Sequence, residues 1–488
     1  MSFQLPSPLP RLQRPRRTPR ALALALPLLA GCAVAPAPIS VVDPAPEALE
    51  AFSPETVSAE PVAAEWWDGF HDPILPTLVE LAFAQSPALN GADFQVAAAE
   101  AELRRITLDR SPDLTSQAGA DVGRPAGPGG DPDASIDAAL FASWELDAYG
   151  RIAALVDSAE ASRDAIRQIR RDLAVTIASE TALAYVDLRG AQRRLSVARQ
   201  NADAQKEGLD LIAALRDNGR ATQLDFDRSE AIYRTTLASI PTFKADIDAA
   251  VNRLSALTGQ PATLARARFA DLLEGESPRI PELAGPLAVG TPRALLRRRP
   301  DVRLAEADLA GALALTAAAR ADLFPEITLN ANASALFNTN GDFFDEDGLG
   351  FSIGPALRWA GPDLRRVRAN IDAADARAGI AAASYEQAVF DALSDVETAL
   401  SLYINELSRR ADLVAAAEAS QRALALATLR FQEGLDDYLD VLDAQRTRLD
   451  AEDRLAASRL ETARRAIRAY RSLGGIWDDD TLTARRAS

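Results

Sequence analysis

Two hydrophobic rhythms run along the chain. In the later half, Ile327, Leu329, Ala331, Ala333, Ala335 and Phe337 interleave with Thr328, Asn330, Asn332 and Ser334; Leu349, Phe351, Ile353, Pro355, Leu357 and Trp359 then interleave with Gly350, Ser352, Gly354 and Arg358. In the earlier half, Ile136 to Leu146 alternates in the same way after a weaker run from Leu114 to Val122. Period two predicts strands with one apolar and one polar face. The Gly-rich segment 123–133 and the acidic segment 338–348 predict the turns of two hairpins. Elsewhere the rhythm is helical. Tracts 151–218 and 365–433 contain no proline and predict helices extending about 100 Å at ~1.5 Å per residue. Shorter helices are expected over about 77–110, 222–258 and 301–323. Leu449, Ala456, Leu460, Ala463, Ile467 and Tyr470 recur at coiled-coil steps, as do Ile240, Phe243, Ile247, Val251 and Leu254.

The rhythms repeat because the chain is an internal duplication. Gly219 opens GRATQLD and Gly434 opens GLDDYLD, an offset of 215 residues. The same offset relates Trp144 to Trp359 and Gly259 to Gly474. Pro87 and Pro300, like Pro112 and Pro325, stand 213 apart, a difference that a loop absorbs. The expected division is a signal segment 1–31, an N-terminal lipidated segment 32–76, repeats 77–289 and 290–475, and a tail 476–488. Each repeat reads helix, hairpin, long helix, turn, half-length helix.

The first residues add a tether. Arg11, Arg14, Arg16, Arg17 and Arg20 precede a short apolar run that ends Leu-Ala-Gly-Cys, with Cys32 the single cysteine of 488 residues. That order is a secretory signal, too short to span a bilayer, and its end resembles the bacterial lipobox. Cys32 is therefore the expected lipid attachment, a diacylglycerol thioether with an N-acyl chain. A lone thiol forms no internal disulfide and no thiolate metal site. Removing a segment with five arginines and no acid takes the net charge from −17 to −22. So acidic a chain is not a nucleic-acid binder, since phosphate contacts need clustered cations. No cofactor, metal or catalytic set is expected.

Beyond residue 32 no apolar run approaches the ~18 residues of a spanning helix. One acyl chain alone anchors weakly, so the strands must reach the membrane. Four strands cannot close a barrel, because single-chain membrane barrels start at about eight and hydrocarbon does not tolerate open edges. Closure is expected between chains: two supply eight strands, three supply twelve.

WWDGFHDPIL (66–75), SWELDAYGR (143–151), LLRRRPDVRLAEADL (295–309), DLFPEITL (322–329), DYLDVLDAQR (437–446) and LGGIW (473–477) resemble the TolC-like outer-membrane factors, and among them the lipoprotein branch of resistance-nodulation-division efflux systems. The resemblance covers nearly all of the mature chain. It implies a mainly α fold with a β-barrel part, closed as a homotrimer with a 12-stranded barrel in the outer membrane. A helical tunnel would cross the periplasm to an adaptor protein and an inner-membrane pump. One departure is that Trp359 is followed by AGPDLRR where the family carries an aromatic-Asp-Gly-Gly segment, so the strand-to-helix junction is expected to differ locally.

The resemblance also assigns sites. The Gly219 and Gly434 turns would form the periplasmic tip that meets the adaptor. Asp440 and Asp443, one helical turn apart, would ring the tunnel entrance, with Asp225 as the first-copy equivalent of Asp440. At ~6 Å and an effective dielectric near 20, each like-charge pair repels by about 3 kcal/mol, which draws in cations or partly protonates the ring. The plainer reading of these aspartates, and of Asp225 above all, is an acidic cap on a helix N-terminus. Asp436 and Asp437 stand where relatives carry a basic residue, so a closed-state salt bridge would need another partner, Arg446 or Arg228.

Other motif matches fail on context. Gly350 to Gly354 fits the nucleophile-elbow spacing but lies inside an alternating strand, and the sole histidine, His71, precedes it. Asp342, Asp345 and Asp347 lack the spacing of a calcium loop and read as a hydrated acidic loop. Arg297, Arg298 and Arg299 read as helix-flanking charges. Trp66 and Trp67 read either as a clasp on a neighbouring chain or as core. The competing functional readings are the outer component of type I protein secretion and a lipid-tethered coiled-coil scaffold with no pore.

Overall fold

The computed structural model describes residues 56–123, 133–270, 279–338 and 348–475; Cys32 and the acidic residues Asp342, Asp345 and Asp347 lie outside them. The chain is mainly helical with few strands, and it divides into two compact units.

The strand unit comprises residues 107–155 and 314–373 among those described. Strands β2 (Asp113–Gly123), β3 (Asp133–Leu146), β5 (Glu326–Asn338) and β6 (Leu349–Arg358) form one antiparallel sheet in the order β2-β3-β5-β6. Two short strands, β1 (Val57–Ser58) and β4 (Leu287–Ala288), belong to the other unit. The register turns alternation into faces. Leu114, Ala142, Ala331 and Ile353 stand in one row, and Ala118, Ala138, Ala335 and Leu349 in another on the same face. The opposite face carries rows such as Gln117, Ala139, Ser334 and Gly350, and the Ser143 Oγ donates to Asn330 Oδ1 across it at 3.0 Å. Ser116 is the polar intruder on the apolar face; Phe141 and Leu336 are apolar intruders on the polar one.

The duplication is visible in the same unit. Trp144 Nε1 donates to the carbonyl of Arg110 at 3.0 Å, and Trp359 Nε1 to the carbonyl of Leu323 at 3.0 Å. Each indole thus ties the end of its hairpin to the end of the preceding helix. The two exits differ. Asp147 accepts from the backbone N–H groups of Ile152 and Ala153, capping the first long helix. After Trp359, which lies just past β6, residues Gly361–Asp363 form a single 3-10 turn. A Cβ at Gly361 would stand 2.4 Å from the Trp359 ring, so the tight exit requires glycine.

The helical unit contains the remaining described residues outside the strand unit. Its elements in chain order are β1 (Val57–Ser58), α1 (Ile74–Gln85), α2 (Pro87–Leu108), α3 (Arg151–Asp217), α4 (Gln223–Leu257), α5 (Ala262–Arg268), β4 (Leu287–Ala288), α6 (Pro292–Arg298), α7 (Pro300–Ala321), α8 (Leu364–Gln432) and α9 (Tyr438–Ser472), with the ends of α2, α3, α7 and α8 lying in the strand unit. The helix anticipated over 77–110 is two, broken at Ser86 because Pro87 holds the residue before it extended. Half-helix α4 runs through Pro241 without ending, although a proline forfeits one hydrogen bond there. Among the described residues no helix is long and apolar enough to cross a membrane.

The largest core gathers Trp66, Trp67 and Phe70 against Tyr185, Leu188, Leu254, Ile467, Tyr470 and Leu473. Trp66 stacks on Tyr470 at 5.2 Å, so both tryptophans are core residues of their own chain. Asp72 accepts from the backbone of Ile74 and Leu75 and from the Tyr185 hydroxyl, fixing where α1 starts. β1 pairs in parallel with β4, stitching the N-terminal segment to the linker between repeats. Arg299 is not a solvated flanking charge. It is buried, its guanidinium donates to Asp301, to Asp395 and to the carbonyls of Ala392 and Ser472, and it joins the start of α7 to α8 and to the end of α9.

Both long helices end alike. At Gly219 (φ 67°) the N–H of Arg220 reaches the Leu215 carbonyl and that of Gly219 the Arg216 carbonyl; at Gly434 (φ 71°) Leu435 reaches Arg430 and Gly434 reaches Phe431. Each is a Schellman ending, in which the left-handed residue is glycine because a Cβ is disfavoured there. The next helices start differently. Thr222 and Asp225 form a capping box: the Thr222 hydroxyl accepts from the Asp225 N–H, and Asp225 accepts from the Thr222 N–H at 2.9 Å. Asp437, the N-cap of α9, makes no side-chain capping bond. Thr222→Ala is expected to cost about 1 kcal/mol locally and to speed amide exchange in the first turn of α4. Hydrogen bonds from Thr222 hold the Asp225 carboxyl below its ordinary range. Its contribution is therefore complete above the unfolded value of about 4 and is lost as the pH falls through the lowered one. Amide exchange of that turn, measured from pH 6 to pH 3, should rise in wild type relative to the intrinsic rate and rise less in Thr222→Ala, which keeps only the backbone N–H of residue 222 on Asp225.

Candidate gate and conduit surfaces

Asp225, Asp440 and Asp443 each lie in the opening turns of a half-length helix that leaves a Schellman glycine. Asp225 is at the third position of α4 and Asp440 at the third of α9, so the duplication places them equivalently. Their chemistry is not equivalent. Asp225 is consumed by its capping box, as the cap reading expects. Asp440 and Asp443 are exposed, and among the described residues their carboxylates accept no hydrogen bond. One helical turn of separation sets these two on a common face of α9.

In the turn before them one of the three acids is paired. The Arg430 guanidinium pairs with Asp436, with Nη2 to Oδ1 at 2.8 Å, and this pairing holds the Asp436 carboxyl below its ordinary range. Arg430 also feels the field of Asp440. Among the described residues Arg228 and Arg446, the expected partners of a closed-state bridge, make no hydrogen bond or ion pair, although Arg228 lies in the field of Asp225. Sequence reasoning missed Arg430. The available signal was a basic residue four positions before Gly434, in the last turn where cations suit the helix dipole. The first-copy turn uses Arg216 otherwise: it pairs with Asp217 and lies 4.5 Å above the Phe226 ring. Leu224, Leu435 and Leu439 are exposed beside the two turns, an apolar trim around the polar residues.

The sheet supplies the second surface. Its apolar face is bare: Phe351 is 89 % exposed, and Leu114, Ile353 and Leu357 are about two-thirds exposed. Its four strands have 11, 14, 13 and 10 residues, which suits tilted membrane-crossing strands of about 9–11 residues. On the polar face Glu145 pairs with Arg151 and Glu326 with Arg358. Such a sheet can place lipid on one side and water on the other. Among the described residues no group of three or more His, Cys, Asp or Glu side chains could hold a metal ion.

The comparisons agree with this geometry. A family model described as outer membrane efflux protein matches residues 78–260 and 291–475, one span in each copy. The toluene efflux pump outer membrane protein TtgF of Pseudomonas putida is 30 % identical over 476 residues, covering 92 % of this chain and 95 % of that one. The outer membrane protein OprJ of Pseudomonas aeruginosa is 29 % identical over 474 residues, covering 96 % and 98 %. Among solved structures, the outer-membrane channel OprN superposes with a TM-score of 0.82 at 36 % identity, over 91 % of this chain and all of that one. Two matched spans, coverage close to the full length and a bare-faced four-stranded sheet have one common account: this chain belongs to the outer membrane efflux protein family.

Proposed function

We propose that the chain is the outer-membrane channel of a tripartite efflux system, a passive duct of three copies through which small toxic molecules leave the cell. The observation that carries the reading is the sheet: one face apolar in every row but one, both outer strands unpaired at their far edges, and too few strands to close alone. Three sheets would make a 12-stranded wall with the polar face inward. The long helices would extend the bore through the periplasm to an adaptor protein at the Gly219 and Gly434 turns, and beyond it to an inner-membrane resistance-nodulation-division pump supplying the energy. A lipid on Cys32 would add a second hold on the outer membrane.

Asp440 and Asp443 are the gate in this reading. Three copies of each would meet near the axis, where mutual repulsion favours cations and disfavours anions. Asp225, occupied by its capping box, contributes mainly to the shape of the tip.

The test of the duct is conductance. Purified, lipidated protein should run as a trimer in detergent and open ohmic channels in planar bilayers; a monodisperse monomer, or a trimer that never conducts, would refute the reading. Asp440→Ala with Asp443→Ala should raise single-channel conductance and move the reversal potential in a salt gradient towards zero cation preference, and an unchanged reversal potential would remove the gate assignment while leaving the fold intact. Cys32→Ser should abolish acyl labelling with radioactive palmitate; label retained in the variant would place the lipid elsewhere.

A further inference from the structure

Helices α3, α4 and α9 flank an open-sided cavity of about 820 Å³ that reaches the gate candidate Asp443 and for which the roles above supply no occupant. It exists because α4 lines it with small side chains, Ala231, Thr235, Thr236 and Ser239, where three rods come together. The remaining wall is apolar and partly aromatic, built from Val197, Ile232, Phe243, Leu442 and Leu449. A volume in the range of about 300–1,000 Å³ with apolar walls and a few polar groups is the usual form of a small-molecule site.

The charges in the lining divide into committed and uncommitted groups. Arg194 pairs with Asp453 at 2.9 Å and lies 4.6 Å above the Phe243 ring, and Asp450 pairs with Arg454 at 2.9 Å. Among the described residues Arg228 on α4, which feels Asp225, and Arg446 on α9 line the cavity with no hydrogen-bond or ion-pair partner, and of the lining carboxylates only Asp443 is equally without one. Two open guanidiniums against one open carboxylate favour an anion, and the planar fork of arginine matches a carboxylate or sulfonate. We propose that the cavity binds a small amphipathic anion, its apolar body against Phe243 and Leu442 and its acid group on Arg228 and Arg446. The occupant bridges a helix of the first copy to a helix of the second immediately beside Asp443, so it braces the part of α9 that carries the gate.

The probe is 2-naphthoate, titrated calorimetrically into the full-length protein in lipid nanodiscs, with empty nanodiscs subtracted. Saturable binding near one per chain is expected, at least about tenfold weaker for neutral 2-naphthamide, since losing one charge-assisted contact costs about that factor. Arg228→Gln with Arg446→Gln, both exposed positions, should weaken binding by at least about tenfold, and Ser239→Leu should weaken it by crowding the wall on which the apolar body rests. Should Ser239→Leu fold poorly, the arginine pair alone carries the test. No saturable binding overturns the proposal, including the case where a second copy or a partner helix fills the space. A preference for 2-naphthylmethylammonium, or affinity undiminished in the arginine variant, overturns it as well. Conductance on the same preparation separates this site from the duct: conduction without binding refutes the site alone, and binding without conduction refutes the duct alone.

Discussion

The free edges of β2 and β6 are the constraint from which the rest follows. Among the described residues each of these strands pairs on one side only, leaving a row of N–H and C=O groups along the other. Hydrocarbon offers those groups no partner, and each one left open there costs several kcal/mol. Two such rows would cost more than the about 5–15 kcal/mol by which folded domains are stable at all. Water would satisfy the edges but not the apolar face, where Phe351, Ile353 and Leu357 stand bare. Neither solvent suits a single sheet. Only a closed ring of sheets, lipid outside and water inside, satisfies the backbone and both faces together, so assembly is a condition of the fold.

The same argument explains why the strands were legible in the sequence. A sheet with one solvent on each face imposes strict alternation, and alternation is what a reader of the chain can see. The intruders are few and local: Ser116 on one face, Phe141 and Leu336 on the other. The duplication was legible because fixed geometry needs fixed residues. Trp144 and Trp359 stand 215 positions apart and the carbonyls they bind, at Arg110 and Leu323, stand 213 apart, so the two-residue difference falls between helix end and strand end. The Schellman glycines were legible for a related reason, since a left-handed turn after 67 or 69 helical residues leaves little choice of residue.

What could not be read was long-range polar bonding. Arg299 sits in an arginine run that suggests a solvated helix end, yet its partners Asp395 and the Ser472 carbonyl come from elements 96 and 173 residues away. Glu406 is buried on α8 and is bonded by Arg409 and by the Ser458 hydroxyl of α9. Coiled-coil periodicity gives no warning of a buried acid, because the hydroxyl that meets it, Ser458, comes from another helix. The β1 and β4 pairing was equally hidden, being two residues long on each side and held by backbone groups alone.

The two copies also show how a duplicated design divides its labour. A carboxylate at the third position of a helix can accept from the N-cap backbone or remain open to the solvent, and it cannot do both well. In the first copy Thr222 at the N-cap draws Asp225 into a reciprocal box. In the second copy the N-cap is Asp437, a carboxylate with no hydroxyl to donate and a charge that repels Asp440, and among the described residues the Asp440 carboxylate stays open. The acid of the preceding turn, Asp436, is meanwhile paired with Arg430, the cation of the last turn of α8. A single change of residue type at the N-cap, threonine against aspartate, thus separates a helix that secures its own start from one that presents its charge outward.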